Sequence, residues 1–259
     1  MPLKLNKLSD ETIAEMLSLD FELLKENLSE RPPDSAAPAV QEGYYERLGD
    51  LARDVAFMLY QQEKGYDEVL YYLRLAGSSL LRAYELRANI EPKECEKGPG
   101  DFEETLNIVV ICCGSDERRR AFKIKKQQYC EPGESNGDRL VDYLEMLKLY
   151  LSDETIDQGA ASAIEKYCLS NVAPREYQWF LLPKVSGLSA LANDDRTAWQ
   201  GAISQLIKAH ESEALRGDNR YLTKGSVCLS ALMLAKLGRE HDFACDIASH
   251  YLPLKLLEP

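Results

Sequence analysis

The sequence predicts an all-α protein. Three observations carry this expectation. Apolar residues recur at three- and four-residue spacing in nearly every stretch between Pro- and Gly-marked breaks. No run alternates apolar and polar residues between hairpin signals. Of the 259 residues, 45% are hydrophobic, enough to bury a core without disulfide or metal staples. The dipeptide Asn136-Gly137 lies between two helical patterns rather than two strands. About ten helices of roughly ten to twenty residues, joined by short loops, imply an antiparallel helical array or bundle without a strict repeat signature. A single all-helical domain is expected over residues 1–259: an N-terminal helix within 1–30, a Pro-rich connector over 31–42 and a main array over 43–259.

Ser9, Asp10 and Glu11 form an N-cap and acidic first turn, followed by Ile13, Met16, Leu17, Phe21, Leu24 and Leu28 at helical spacing. Pro32, Pro33 and Pro38 then break the period. Tyr45 to Leu59 define a second helix and Val69 to Tyr84 a third, and the short turn at Gly65 pairs them. After a Pro- and Gly-rich loop, Asp101 caps an apolar helix that stops at Gly114, and Ser115 begins another that closes near Cys130. Leu140 to Leu151 mark the next helix, and Asp153 caps one containing Ile156, Ala160, Ile164 and Tyr167. Pro174 suits a first helical turn, and Pro183 is expected to end or kink that helix. Asp194 and Asp195 start a long helix through Trp199 and His210, and Gly225 to Leu237 form a final apolar helix ending at Gly238. Trp199 and Tyr251 read as core anchors.

Charge narrows the function. With 43 Asp+Glu against 31 Lys+Arg the formal net is −12, which argues against a nucleic-acid binder and suits steering toward a basic partner. Residues 131–157 hold eight acids and two bases, a net −6. The acids expected to dock a basic protein are Glu131, Glu134, Asp138, Asp153, Glu154 and Asp157, with Asp194, Asp195, Glu211, Glu213 and Asp218 further on. RRRAFKIKK at 118–126 is the basic counterpart, but on a helix its charges spread around the circumference and follow Asp116-Glu117, the order of a solvated helix.

No catalytic constellation emerges, and neither a cofactor nor a metal is expected. His210, then His241-Asp242, then Asp246 give an H…HD…D order like that of metal-dependent phosphohydrolases, but Asp246 follows only four residues after the dipeptide. A nucleophile elbow, a phosphate loop and a zinc-helix motif are all missing. The seven cysteines, Cys95, Cys112, Cys113, Cys130, Cys168, Cys228 and Cys245, include no C-x-x-C pair and read as reduced core thiols of a cytosolic protein. Glu103-Glu104 fits a helix N-terminus. The start of the chain has no unbroken apolar region for a signal peptide, and Ile108 to Cys113 falls far short of the ~20 residues that span a bilayer.

The last seventy or so residues carry a resemblance. An Ala/Leu-rich helix end, an acidic break and an early aromatic appear as Leu188, Ala190, Leu191, Asp194, Asp195 and Trp199. A Gly-terminated Ala/Leu helix follows as Ala231, Leu234, Ala235 and Gly238. A terminal Tyr251-Leu252-Pro253 then leads to Leu256 and Leu257. In this order the chain resembles the immunity 49 family of bacterial polymorphic-toxin immunity proteins. The resemblance implies a cytoplasmic bacterial protein without catalytic activity that neutralises a cognate toxin domain in a stoichiometric complex. The acidic charge favours a nuclease or other nucleic-acid-modifying toxin, with NAD-consuming and ADP-ribosylating domains left open. A helical scaffold or adaptor binding another protein is the alternative, and an HD-type phosphohydrolase the third. No nucleic-acid or membrane partner is expected.

Overall fold

A computed structural model describes residues 9–90, 98–130, 138–152, 154–217, 219 and 222–258. Among the described residues there are ten α-helices and no strand: α1 (Asp10–Ser29), α2 (Pro38–Gln61), α3 (Tyr66–Leu86), α4 (Pro99–Cys112), α5 (Ser115–Phe122), α6 (Arg139–Leu151), α7 (Gln158–Cys168), α8 (Leu182–Ala192), α9 (Arg196–Arg216) and α10 (Leu229–Glu240).

Ser9 caps α1, its Oγ accepting from Thr12 N–H at 3.0 Å. The helix lays Ile13, Leu17 and Leu24 against α2 and the core. The α2–α3 pair depends on a close approach at Gly49, where a Cβ would stand 2.5 Å from Leu80 Cγ. Arg87, just past α3, donates to Glu42 at 2.8 Å and Glu46 at 3.3 Å near the start of α2, so α3 returns along α2. Buried on nearly every side, α4 is the central helix, and Phe102, Leu106 and Ile108 to Val110 are fully buried in it. The Phe102 ring stacks on Tyr129 at 4.3 Å. α10 packs on α4, α8 and α9.

Several boundaries differ from expectation for identifiable reasons. Pro38 does not lie in the connector but opens α2, where its missing N–H costs nothing. α4 begins at Pro99, with Asp101 reaching back to the Gly98 N–H at 3.0 Å instead of standing at the cap itself. α5 ends at Phe122, and a 3₁₀ turn at Lys126–Gln128 carries the chain on toward Cys130. Asp153 lies outside the described residues, and the α7 cap is Asp157. Pro183 neither ends nor kinks its helix away. A π-turn at Tyr177–Leu181, closed by Leu182 N–H on the Tyr177 carbonyl, absorbs the hydrogen bond that proline cannot make. The segment from Thr223 to Ser226 is a 3₁₀ turn, so the last helix starts at Leu229. Gly238 lies inside α10, because the Trp199 ring would stand 2.1 Å from a Cβ there. The helix is instead reversed by Asp242 at φ 59, with Phe243 N–H reaching the Gly238 carbonyl at 2.8 Å.

Candidate functional site

Among the described residues, three of the candidate docking acids have a structural role at helix starts. Asp138, Asp157 and Asp195 are helix N-caps. Asp138 accepts from Leu140 N–H at 2.9 Å, Asp157 from Gly159 at 2.8 Å, and Asp195 from Ala198 at 2.9 Å. Asp194 turns the chain between α8 and α9 at φ 57. Glu154 is exposed, while Glu211 and Glu213 are half-buried near the end of α9. Glu131, Glu134, Asp153 and Asp218 lie outside the described residues.

At one end of α8, the segments Glu154–Ile156 and Leu191–Asn193 line a groove of about 880 Å³ together with residues of α5 and the end of α10. Phe122, Leu151, Ile156 and Leu237 make its lining partly apolar, and Tyr150 hydrogen-bonds His241 Nε2 at 2.5 Å within it. Arg118 closes one edge by pairing with Glu240 at 2.9 Å. The rest of the basic cluster disperses as its helical order predicts, since Arg119 pairs with Asp116 and Arg120 bonds Glu85 at 2.6 Å.

At the other end of α8 stands a feature the sequence reading missed. Trp179, 42% exposed on the π-turn, lies under the Arg175 guanidinium at 5.1 Å, and the α7–α8 connection adds Leu169 at 66% and Val172 at 79% exposure. A cavity of about 300 Å³ separates Trp179 from Lys208, Ala209 and Ser212 of α9, the helix that goes on to Glu211 and Glu213. Asp138 joins this corner by accepting from Tyr177 O–H at 3.1 Å. The segment thus exposes apolar and aromatic side chains, with the cations Arg175 and Lys208 beside Trp179. Its signal in the sequence was a tryptophan bracketed by Pro174 and Pro183.

The histidines do not converge on a metal. His210 is buried, with Nε2 3.0 Å from the Gly225 carbonyl, and burial pushes its pKa down to about 4. His241 stacks on Tyr150, Asp242 makes the reversal after α10, and Asp246 accepts from Arg196 and Gln200 at 3.3 Å. Among the described residues no group of three or more His, Cys, Asp or Glu could hold a metal ion.

Glu103 and Glu104 lie in the N-terminal half of α4, as expected, and both are also paired with cations: Glu103 is buried against Lys184 Nζ at 2.6 Å, and Glu104 faces Arg53 at 3.3 Å. The described cysteines are free, and Cys95 lies outside the described residues. Cys112, Cys130, Cys168 and Cys228 are buried, whereas Cys113 and Cys245 are only half-buried. Hydrogen bonding from Cys112 lowers the Cys113 thiol, against the opposing effect of burial. No described helix is long and apolar enough to cross a membrane.

The sequence model of the immunity protein 49 family matches residues 34–256. No curated protein and no solved structure matches the chain.

Proposed function

Because the chain belongs to the immunity protein 49 family, we propose that it binds a cognate toxin domain and neutralises it by forming a stoichiometric complex in the bacterial cytoplasm, without catalysis of its own. Family membership over residues 34–256 is the observation that carries this reading. The physical chemistry agrees with it. A net charge of −12 favours encounter with a basic target, so a nuclease or other nucleic-acid-modifying domain is the preferred toxin class.

The toxin-facing surface in this reading is the corner of Trp179, Leu169 and Val172. Three large exposed apolar side chains lie there between residues 169 and 179 of the chain, with Asp138 held by the neighbouring Tyr177. Exposed apolar side chains gathered on one corner mark interaction sites more often than scattered ones do. Glu154 lines a second groove at the far end of α8, together with Arg118, Arg119 and Glu240.

The test is affinity purification of the tagged protein from its native host at moderate salt, followed by mass spectrometry. Recovery of one large secreted-type protein through its carboxy-terminal domain, in near-equal amount, supports the reading, as does rescue of cells expressing that domain by co-expression of this chain. Recovery of several housekeeping proteins instead would point to a helical adaptor.

A further inference from the structure

In a chain of net charge −12, the charged groups placed beside Trp179 are cations. The Arg175 guanidinium lies over its ring at 5.1 Å, and Lys208 lines the cavity of about 300 Å³ from the α9 side. Both are exposed, and neither makes an ion pair or a hydrogen bond among the described residues. Glu176, next to Arg175 in the chain, pairs with neither of them. The acids of α9 are engaged elsewhere: Glu211 acts on Tyr251, and the Glu213 carboxylate lies against Gly217.

The lining of the cavity describes its occupant. The Trp179 ring and the Ala209 methyl offer apolar contact. The space is at the lower end of the ~300–1,000 Å³ typical of ligand pockets, which admits one large side chain and no folded element. Gln178, Gln205 and Ser212 line the remainder. All three are exposed, and their side chains bond nothing else among the described residues, so their amide and hydroxyl groups are free to bond a peptide backbone. Arg175 and Lys208 are then available to carboxylates on either side of the inserted residue, whereas a basic segment would meet like charge. Stacking on the indole holds the Arg175 fork close to the cavity.

We infer that this cavity seats one leucine- or phenylalanine-sized side chain from an acidic segment of the toxin domain, with carboxylates flanking that residue paired to Arg175 and Lys208. The inference deepens the toxin reading and rests on it. The field of the whole chain and the charge of this contact are opposite in sign and act on different things. The first attracts a basic domain, and the second fixes which part of that domain docks.

The experiment is titration of the full-length protein at low salt with a capped Asp-Glu-Phe-Asp-Glu peptide, followed by tryptophan emission. Of the two tryptophans Trp179 is exposed and Trp199 fully buried, so a change in emission reports on the cavity. A saturable change is expected, absent in Trp179→Phe and shifted to about tenfold weaker affinity or more by Lys208→Glu and by Arg175→Glu. Both reversals lie at exposed positions, and their melting temperatures should match the wild type. The inference is overturned by no saturable change, by a signal that neither reversal weakens, or by equal affinity for a peptide whose four acids are lysines or whose phenylalanine is glycine. With the toxin domain itself the two reversals should weaken the complex by a similar factor, and an unchanged Kd overturns the assignment. Failure of the toxin reading shows separately, as a wild-type protein that captures no toxin in the affinity purification whatever the titration gives.

Discussion

Two buried residues show how single side chains set the stability of this array. Trp199 is fully buried, its Nε1–H donates to the Leu234 carbonyl at 2.9 Å, and its ring occupies the space where Gly238 has no Cβ. Trp199→Ala should therefore cost about 3–5 kcal/mol, read from chemical denaturation. Gly238→Ala should cost about 1–3 kcal/mol, because the ring held between α9 and α10 cannot move 1 Å or more without repacking. A retained melting temperature in either variant would contradict this packing. His210 adds a pH dependence with a defined sign. Its folded pKa of about 4 lies below its ordinary 6.5, so between those values the unfolded chain binds more protons than the folded one. The stabilisation is complete above about pH 6.5 and is lost as the pH falls toward 4, by about 3 kcal/mol in all. Denaturation at pH 7 and pH 5 should show the loss in the wild type. In His210→Gln, which keeps a donor for the Gly225 carbonyl, the drop should shrink; an equal drop in both proteins would assign it to other groups.

At the scale of elements, periodicity made most helices legible, because a helix that buries one stripe must place apolar residues every three or four positions. The interior of α4 and the α2–α3 pair follow directly from that rule. What local pattern could not show were features decided by a partner across the fold. Gly238 has the signature of a helix terminator, yet it answers to Trp199. Pro183 has the signature of a breaker, yet a π-turn accommodates it and leaves Trp179 on the surface. Glu103-Glu104 has the composition of a helix start, and only the fold shows that Lys184 and Arg53 arrive from α8 and α2 to meet it. Asp195 was legible as a helix start, but Asp138 and Asp157 were legible only as acids, since a carboxylate at an N-terminus satisfies backbone N–H groups whatever else it does. This separation is testable. Asp157→Ala and Asp195→Ala should each lower stability by about 1 kcal/mol, and Glu154→Ala, which caps nothing, should leave it unchanged. Equal melting temperatures for all three variants would deny the caps their role. By the same logic Lys184→Met should cost about 3–5 kcal/mol by stranding Glu103 in the core between α4 and α8.

For the whole molecule, charge and shape act on different steps of binding. The net −12 extends well beyond any one contact, so with the toxin domain in hand it should govern how fast the two proteins meet. The corner of Trp179, Leu169 and Val172 should govern how long they stay together, because buried aromatic anchors act chiefly on dissociation. Glu154, Glu211 and Glu213 are the acids to reverse, as none of them caps a helix, whereas reversing Asp157 would confuse binding with folding. Stopped-flow association of the triple reversal to Lys should be slower by about tenfold at low salt and less dependent on salt, with dissociation little changed. Trp179→Ala should behave oppositely: association nearly as in the wild type, dissociation faster by about thirtyfold, the equivalent of about 2 kcal/mol. Its melting temperature should stay close to that of the wild type, since the ring is already 42% exposed. If Trp179→Ala left the dissociation rate unchanged while Glu154→Lys alone raised it, the toxin would be seated in the groove beside Glu154 rather than on the π-turn corner.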